Sequence, residues 1–415
     1  MTDSGKRILV VGAGFAGMWS ALGAARLLDI ANKSGERIEV VLIAPEPMLH
    51  VRPRLHESNP LGMKAPLLPL FDATGVQFIQ GSVSEIRAAA HEVEAIGADG
   101  NTFTVRYDKL VLASGSSLFR PPVPGLATAA FSIDQIGDAA LLEAHLGKLA
   151  DQPDTPARNT VVVVGGGFTG IEIATELPER LRSILGSTAS VNVIVIEQAD
   201  AVGPDLGLGP RPMIEQALTE LRITVRLGTA VSAIDTDGIV TSTGEHIDTK
   251  TVIWTAGMRA NALTKKLDAE RDRLGRLHVD ADLRVSGTQD IFAAGDVAFA
   301  ATDDVGNHAL MSCQHAMNMG RFAGHNVAAD LVGVELLPYR QPVYVTCLDL
   351  GSWGAVYTEG WDREIKLVGT EAKALKRQIC TEWSIRLLPI AQRHSPRPIL
   401  RSLLLPNWQP ASLRL

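Results

Sequence analysis

A chain of 415 residues, 46% of them apolar, is long enough for two or three domains with substantial cores. Its net charge of −7 speaks against nucleic acid as the main partner. Three cysteines, Cys313, Cys347 and Cys380, are too few for a disulfide framework and point to a reducing, cytosolic setting. No run approaches the roughly 18 apolar residues of a membrane span, and the first strand begins too early to leave room for a signal peptide.

Lys6 to Val11 reads as a buried strand. Gly12-Ala13-Gly14-Phe15-Ala16-Gly17 then gives G-x-G-x-x-G, followed by a helix from Met18 to about Ile30 and a strand from Ile38 to Ile43. Pro47 to Leu70 is an irregular, proline-rich excursion with short helices. Within it Arg52 and Arg54 could reach phosphate or pack on a ring system, and a solvated surface serves either equally well. Val76 to Val83 reads as one strand, and Val93–Ile96 with Thr102–Arg106 as a hairpin around Asp99-Gly100. A buried strand from Tyr107 ends in Ala113-Ser114-Gly115, small residues that let a ligand approach the backbone. Pro121 to Gly125 is a candidate linker.

Val161-Val162-Val163-Val164 leads into Gly165-Gly166-Gly167-Phe168-Thr169-Gly170, a second G-x-G-x-x-G, and a helix opening at Ile171. The strand Val191 to Ile196 closes this unit on Glu197, which is placed for the two hydroxyls of an adenosine ribose. Gly165 permits the turn, Gly167 lets backbone approach a pyrophosphate, and Gly170 lets helix and sheet pack. The helix N-terminus offers free N–H groups to phosphate. At the matching position of the first unit stands Ala44, not an acid; Glu46, two residues on, is the substitute. Two fingerprints imply two nucleotide sites, and a hydride donor with a flavin is the economical pair.

Thr251 to Trp254, ending in Thr255-Ala256-Gly257, mirrors the strand before Gly115. Asp290 to Ala294 is a strand ending in Gly295-Asp296, where the aspartate either caps a helix from Val297 or serves a ligand. A helix from Met311 to Ala329 turns its first N–H groups, around Gln314 and His315, toward a ligand carbonyl. Beyond Leu331, Val343–Leu348 and Gly354–Tyr357 read as antiparallel strands. Ala372, Leu375, Ile379, Trp383 and Leu387 recur at helical spacing, with Lys373, Lys376 and Arg377 on other faces. From Lys366 to Leu415 nine Lys/Arg stand against two Asp/Glu, which suggests either a surface-binding basic tail or a solvated helix face.

Together these motifs resemble the two-dinucleotide flavoproteins that include the disulfide reductases, and within them the type II NADH dehydrogenase family. The resemblance spans Arg7 to Val334 and is looser beyond. It implies an α/β fold: an FAD-binding domain in two parts (1–120 and 259–334), a Rossmann-like NAD-binding domain (121–258), and a smaller α+β C-terminal domain (335–415). It places FAD at Gly12, Gly14, Phe15, Ala16 and Gly17, with Glu46, Arg52, Val83, Ala113, Ser114, Gly115, Gly295, Asp296, Gln314, His315 and Ala316. It places NADH at Gly165, Gly167, Phe168, Thr169, Gly170, Glu197, Ala256 and Gly257. Glu172 matches an acid beside the nicotinamide, and Glu172, Gln314 and His315 are the expected catalytic residues. No metal is called for.

The resemblance has departures. Asn318 stands where the family has a second glutamine near the quinone. The Arg52-Pro53 segment is also like that of ferredoxin-type reductases, though Glu57 replaces their lysine. Residues 44 to 60 hold no cysteine, so no thiol relay from that segment can serve a flavin, and direct hydride transfer from NADH is expected. A quinone is the leading acceptor, with the tail on a membrane surface and a homodimer compatible with the chain. The alternatives are a soluble carrier or small organic acceptor, a sulfide:quinone oxidoreductase using Cys313 and Cys347, and a flavin sensor without turnover.

Overall fold

The strand Lys6–Val11 lies between two parallel neighbours, Ile38–Ala44 and Lys109–Leu112. In this computed structural model, which describes residues 5–31 and 38–383, the sheet continues outward to Ile291–Ala293 on one side and Gln77–Gln80 on the other. Ile8 to Val11 are all buried, as a parallel strand covered on both faces requires. The helix Phe15–Ala31 follows the first glycine turn and packs along Cys313–Val332. That contact is made through glycines: a Cβ on Gly320 would stand 2.5 Å from the Ala16 carbonyl oxygen, and one on Gly324 2.1 Å from that of Ser20. The matched offsets show that the helices run parallel, so both N-termini emerge at one end of the sheet.

The second fingerprint repeats this plan. Thr160–Val164 pairs in parallel with Asn192–Ile196 and Thr251–Trp254, and Thr224–Arg226 extends the sheet. Its helix is Phe168–Leu185. Each parallel sheet is accompanied by a three-stranded antiparallel one, Ser82–Arg87/Glu92–Ile96/Thr102–Arg106 and Val231–Ile234/Gly238–Thr241/His246–Asp248. The hairpin around Asp99-Gly100 forms as expected.

Three elements differ from the sequence reading. The strand expected over 76–83 divides at Gly81, whose amide turns to donate to the Ala44 carbonyl at 2.9 Å, and a separate sheet begins at Ser82. No helix follows Asp296: Val297 runs straight into a short strand, Ala298–Phe299, so Asp296 caps no α-helix. The C-terminal sheet has a third strand, Glu364–Val368, beside Val345–Asp349 and Ala355–Glu359. Its alternation of charged and apolar residues suits a half-exposed edge, and in sequence it merges into the basic tail. The helix Gly369–Gln378 then folds back, with Ala372 and Leu375 buried as expected. Leu387 and the rest of the tail lie outside the described residues.

Candidate active site

In each fingerprint the first and third glycines are forced by packing and the second faces open space. A Cβ on Gly12 would lie 2.4 Å from the Ala113 carbonyl oxygen, and one on Gly17 1.8 Å from that of Gly12. Likewise Gly165 meets Ala256 at 3.0 Å and Gly170 meets the Gly165 oxygen at 1.8 Å. Around Gly14 and Gly167 no protein atom comes within 4 Å of a Cβ. Backbone without a side chain, open space before it and a helix N-terminus behind it form a cradle that fits a dinucleotide diphosphate. It occurs twice.

Both cradles open into one cavity of about 2140 Å³. Gly14, Phe15, Ala16, Ala113, Gly115, Gly295 and Asp296 line it from the first unit. Gly165, Gly167, Phe168, Thr169, Glu172, Glu197, Ala256 and Gly257 line it from the second. Gln314, Ala316 and Asn318 reach it from the helix Cys313–Val332, and Tyr344, Cys347 and Lys376 from the C-terminal region. Gly12, Gly17 and Gly170 lie beneath the turns they shape. Ser114, Val83, Glu46 and His315 do not reach the wall.

Glu197 is 7% exposed and already fixed. Its Oε2 accepts from the Gly166 N–H at 2.7 Å and its Oε1 from the Ala199 N–H at 2.8 Å. The first unit has nothing equivalent: Ala44 is buried, and Glu46 points to His50, 2.9 Å away. Asp296 accepts from the Ser116 hydroxyl at 2.6 Å. Arg52 ion-pairs with Asp134, donates from Nε to the Asp134 carbonyl at 3.1 Å, and has Nη1 3.8 Å from Asp296. Arg52 is thus a cation on the wall held between two carboxylates, not a solvated surface group.

Gln314 is anchored by the Val345 N–H, which donates to its Oε1 at 3.4 Å. His315 is wholly buried and stacks on Tyr344 with ring centroids 4.9 Å apart. Burial, and then the charge of Arg276, pushes its pKa down to about 3, so the ring is neutral. The structure makes His315 a support for the wall residue Tyr344.

The arrangement at Glu172 is the main feature the sequence did not disclose. Glu172 is 4% exposed and ion-pairs with Lys376, itself 7% exposed. The Asp349 N–H donates to Glu172 Oε1 at 3.1 Å, and His56 Nδ1 lies 3.5 Å from Oε2. Lys373 and Lys376, read on faces other than the apolar stripe, are both paired: Lys376 is buried against Glu172, and the part-exposed Lys373 bonds Glu176 and Asp349 at 2.9 Å each. The regular spacing of Ala372, Leu375 and Ile379 could not show that a lysine beside that stripe is also buried.

A model of the pyridine nucleotide-disulphide oxidoreductase family matches residues 6–320. The chain belongs to that family. An NADH dehydrogenase-like protein of Mycobacterium tuberculosis is 46% identical over 383 residues, covering 90% of this chain and 93% of the relative. The demethylphylloquinone reductase of Synechocystis is 29% identical over 388 residues, covering 91% and 92%. Among solved structures, NDH2 of Plasmodium falciparum in complex with NADH superposes with a TM-score of 0.75 at 15% identity, over 95% of this chain and 99% of that one. The chain is therefore an oxidoreductase of the type II NADH dehydrogenase-like branch, a two-dinucleotide flavoprotein that uses FAD and NADH.

Within this family the cysteines are informative. Cys313, Cys347 and Cys380, far apart in sequence, all line the cavity. Burial pushes the Cys313 and Cys347 thiols up to about 12, which leaves them protonated and poor nucleophiles at neutral pH. The sulfide-oxidising alternative needs reactive thiols, and this environment does not provide them. Among the described residues, no helix is long and apolar enough to cross a membrane.

Proposed function

We propose that this protein is an FAD-dependent NADH dehydrogenase that delivers electrons to a quinone-like acceptor, with FAD at the first fingerprint and NADH at the second. The observation that carries the reading is the single chamber into which both cradles open. Bound there, FAD supplies the redox couple that takes hydride from NADH and releases electrons to the acceptor. The chain's own residues bind and orient. The open backbone at Gly14 and the helix end at Phe15 receive one diphosphate, and Gly167 and Phe168 the other. Glu197 meets a ribose, and Asp296, set by Ser116, meets the polar chain of the flavin. Glu172 closes the wall beside the nicotinamide. Gln314, Ala316 and Asn318, with Tyr344, line the end left for the acceptor. A quinone is favoured because the Synechocystis relative is named as a quinone reductase.

Attachment to a membrane surface rests on the tail. Of its basic residues, Lys366, Lys373 and Lys376 are ion-paired within the fold and Arg377 is exposed, so surface binding would draw on Arg377 and on the segment after 383, which lies outside the described residues. Flotation with anionic vesicles, with and without residues 384–415, tests it. The enzymatic reading is tested by mixing NADH with the yellow protein under anaerobic conditions, then measuring turnover with and without a water-soluble quinone. Rapid bleaching and quinone-dependent turnover are expected. No bleaching would refute the donor, and bleaching without quinone turnover would refute the acceptor.

A further inference from the structure

The hairpin between Ala355–Glu359 and Glu364–Val368 turns through Gly360-Trp361-Asp362-Arg363. Arg363 takes φ +58°, a left-handed conformation that a residue with a Cβ adopts at a cost. The turn is seated on its surroundings. The Gly360 N–H donates to the Tyr344 carbonyl at 2.9 Å, and the Arg363 carbonyl lies against Gly209, where a Cβ would stand 2.7 Å from it. From this anchored backbone Arg363 reaches the cavity wall, only 9% exposed.

Among the described residues three arginines are buried to about this degree, and two are neutralised: Arg158 bonds Asp154 at 2.6 Å and Arg276 bonds Asp272 at 2.8 Å. The Arg363 guanidinium has neither a carboxylate nor a hydrogen-bond acceptor among the described residues. Its central carbon lies instead 5.5 Å from the centre of the Tyr344 ring. The acids of its own hairpin are turned elsewhere. Glu364 pairs with Lys366 at 2.7 Å, Glu359 accepts from the Tyr357 hydroxyl at 3.0 Å, and the exposed Asp362 folds back over Gly360. A guanidinium does not give up its charge, and burying one without a counter-charge is costly. A strained turn that carries it into the chamber points to a ligand that supplies the missing negative charge.

The neighbouring rings define the rest of that ligand. Tyr344 stacks on the buried His315 at 4.9 Å and on Trp361 at 5.0 Å between centroids, and the Trp361 indole N–H is taken by the Pro342 carbonyl at 3.1 Å. Tyr344 and Trp361 thus add ring surface to the wall beside Gln314, the end left for the acceptor. Ring surface next to an unpaired cation matches a planar molecule with a carboxylate. A neutral quinone would cover the rings and leave the guanidinium uncompensated.

We propose that Arg363 determines acceptor specificity, and that the acceptor it selects is an acidic quinone, one bearing a carboxylate. The proposal rests on the quinone reading of the acceptor end. The quinone ring lies against Tyr344 and Trp361, and the carboxylate takes paired N–H bonds from Arg363. The carboxylate is a spectator, so the balance is that of any quinone: NADH + quinone + H⁺ gives NAD⁺ + quinol.

The test uses the yellow holoenzyme with 1,4-naphthoquinone-2-carboxylate, anionic at pH 7, and its neutral methyl ester. In Arg363→Gln the kcat/KM ratio of acid to ester should fall about tenfold, carried by a higher KM for the acid. Arg363→Lys, which keeps the charge but not the planar fork, should lie in between. Arg363→Gly suits the left-handed turn and should match Arg363→Gln, so a misfolded glutamine variant does not leave the matter open. An unchanged ratio would overturn the proposal. So would a loss that falls instead on NADH, seen as a higher NADH concentration needed for anaerobic flavin bleaching, because the guanidinium would then serve the donor. The native protein offers a test without turnover: 2-naphthoate should perturb the flavin absorbance at about a tenth of the concentration that 2-naphthamide requires. Equal affinities would refute selection by charge. If ferricyanide is reduced and neither quinone is, only the quinone reading fails. The naphthoate preference and its loss in Arg363→Gln then decide whether Arg363 selects a carboxylate.

Discussion

Lys376, in the C-terminal helix, ion-pairs with Glu172 in the helix of the second fingerprint, 204 residues away, and both are buried. Burial pushes the Lys376 pKa down, but Glu172 outweighs it and the net shift is upward, so the ammonium keeps its charge at neutral pH. Removing one partner leaves the other charge uncompensated, which costs roughly 3–5 kcal/mol. Lys376→Met should lose about that much in denaturant unfolding. Adding Glu172→Gln should recover most of it, because two neutral groups then face each other. A double variant no more stable than Lys376→Met would show that the two are not energetically coupled. The raised pKa makes this stabilisation complete below the lysine's ordinary range and lost only above it.

Asp349 predicts the acid side. Burial raises its pKa, but His56 and Lys373 outweigh that and bring it down to about 2. A folded pKa below the unfolded one means stability that is present above pH 4 and fades as pH falls from about 4 toward 2. Asp349→Asn should be less stable than the native protein at pH 7 and should lose less on going from pH 5 to pH 3. Parallel stability curves over that interval would rule this out.

The sequence disclosed the two fingerprints because local geometry alone dictates them: a turn, a helix start and a strand end fall within a few residues. Glu197 was legible for the same reason, as it follows its strand directly. Glu172's partners were not, since Lys376, His56 and Asp349 come from three distant segments and no periodicity links them. His315 misled because its neighbours Gln314 and Ala316 do reach the wall, while one step around the helix turns His315 into the core. The cysteines were legible as too few for disulfides, but their meeting on one cavity depends on tertiary packing.

The two kinds of glycine should fail differently. Gly14→Val adds a Cβ with no protein atom within 4 Å, so the variant should fold with near-native stability but lose its flavin colour. Gly12→Ala drives a Cβ toward the Ala113 carbonyl, where backbone cannot yield, and should reduce the yield of folded protein itself. Absorbance at the flavin band against circular dichroism separates the outcomes. A yellow Gly14→Val protein would refute the placement of FAD.

Changing Cys313, Cys347 and Cys380 together to alanine should leave NADH-driven flavin reduction near its native rate. Thiols whose pKa is raised stay protonated and take no part in hydride transfer. The variant should be less stable by about 1–3 kcal/mol from lost packing. Stopped-flow bleaching measures the rate directly, and its loss in a folded triple variant would revive a thiol relay.

The donor should be NADH rather than NADPH, and the structure sharpens why. Glu197 is held in place by the Gly166 and Ala199 amides, so its charge cannot swing away from a 2′-phosphate. Asp200 follows shortly after and adds to the repulsion. A fixed like charge at that distance is worth about 1–3 kcal/mol, or roughly ten- to a hundredfold in specificity. Glu197→Gln removes the charge while keeping one amide acceptor, so the loop should persist. The kcat/KM ratio of NADPH to NADH should then rise about tenfold. Glu197→Arg should raise the ratio further by attracting the phosphate, but it leaves both amides without their acceptor and should also lower stability. Native preference for NADPH, or an unchanged ratio in a folded Glu197→Gln enzyme, would show that this carboxylate does not read the ribose.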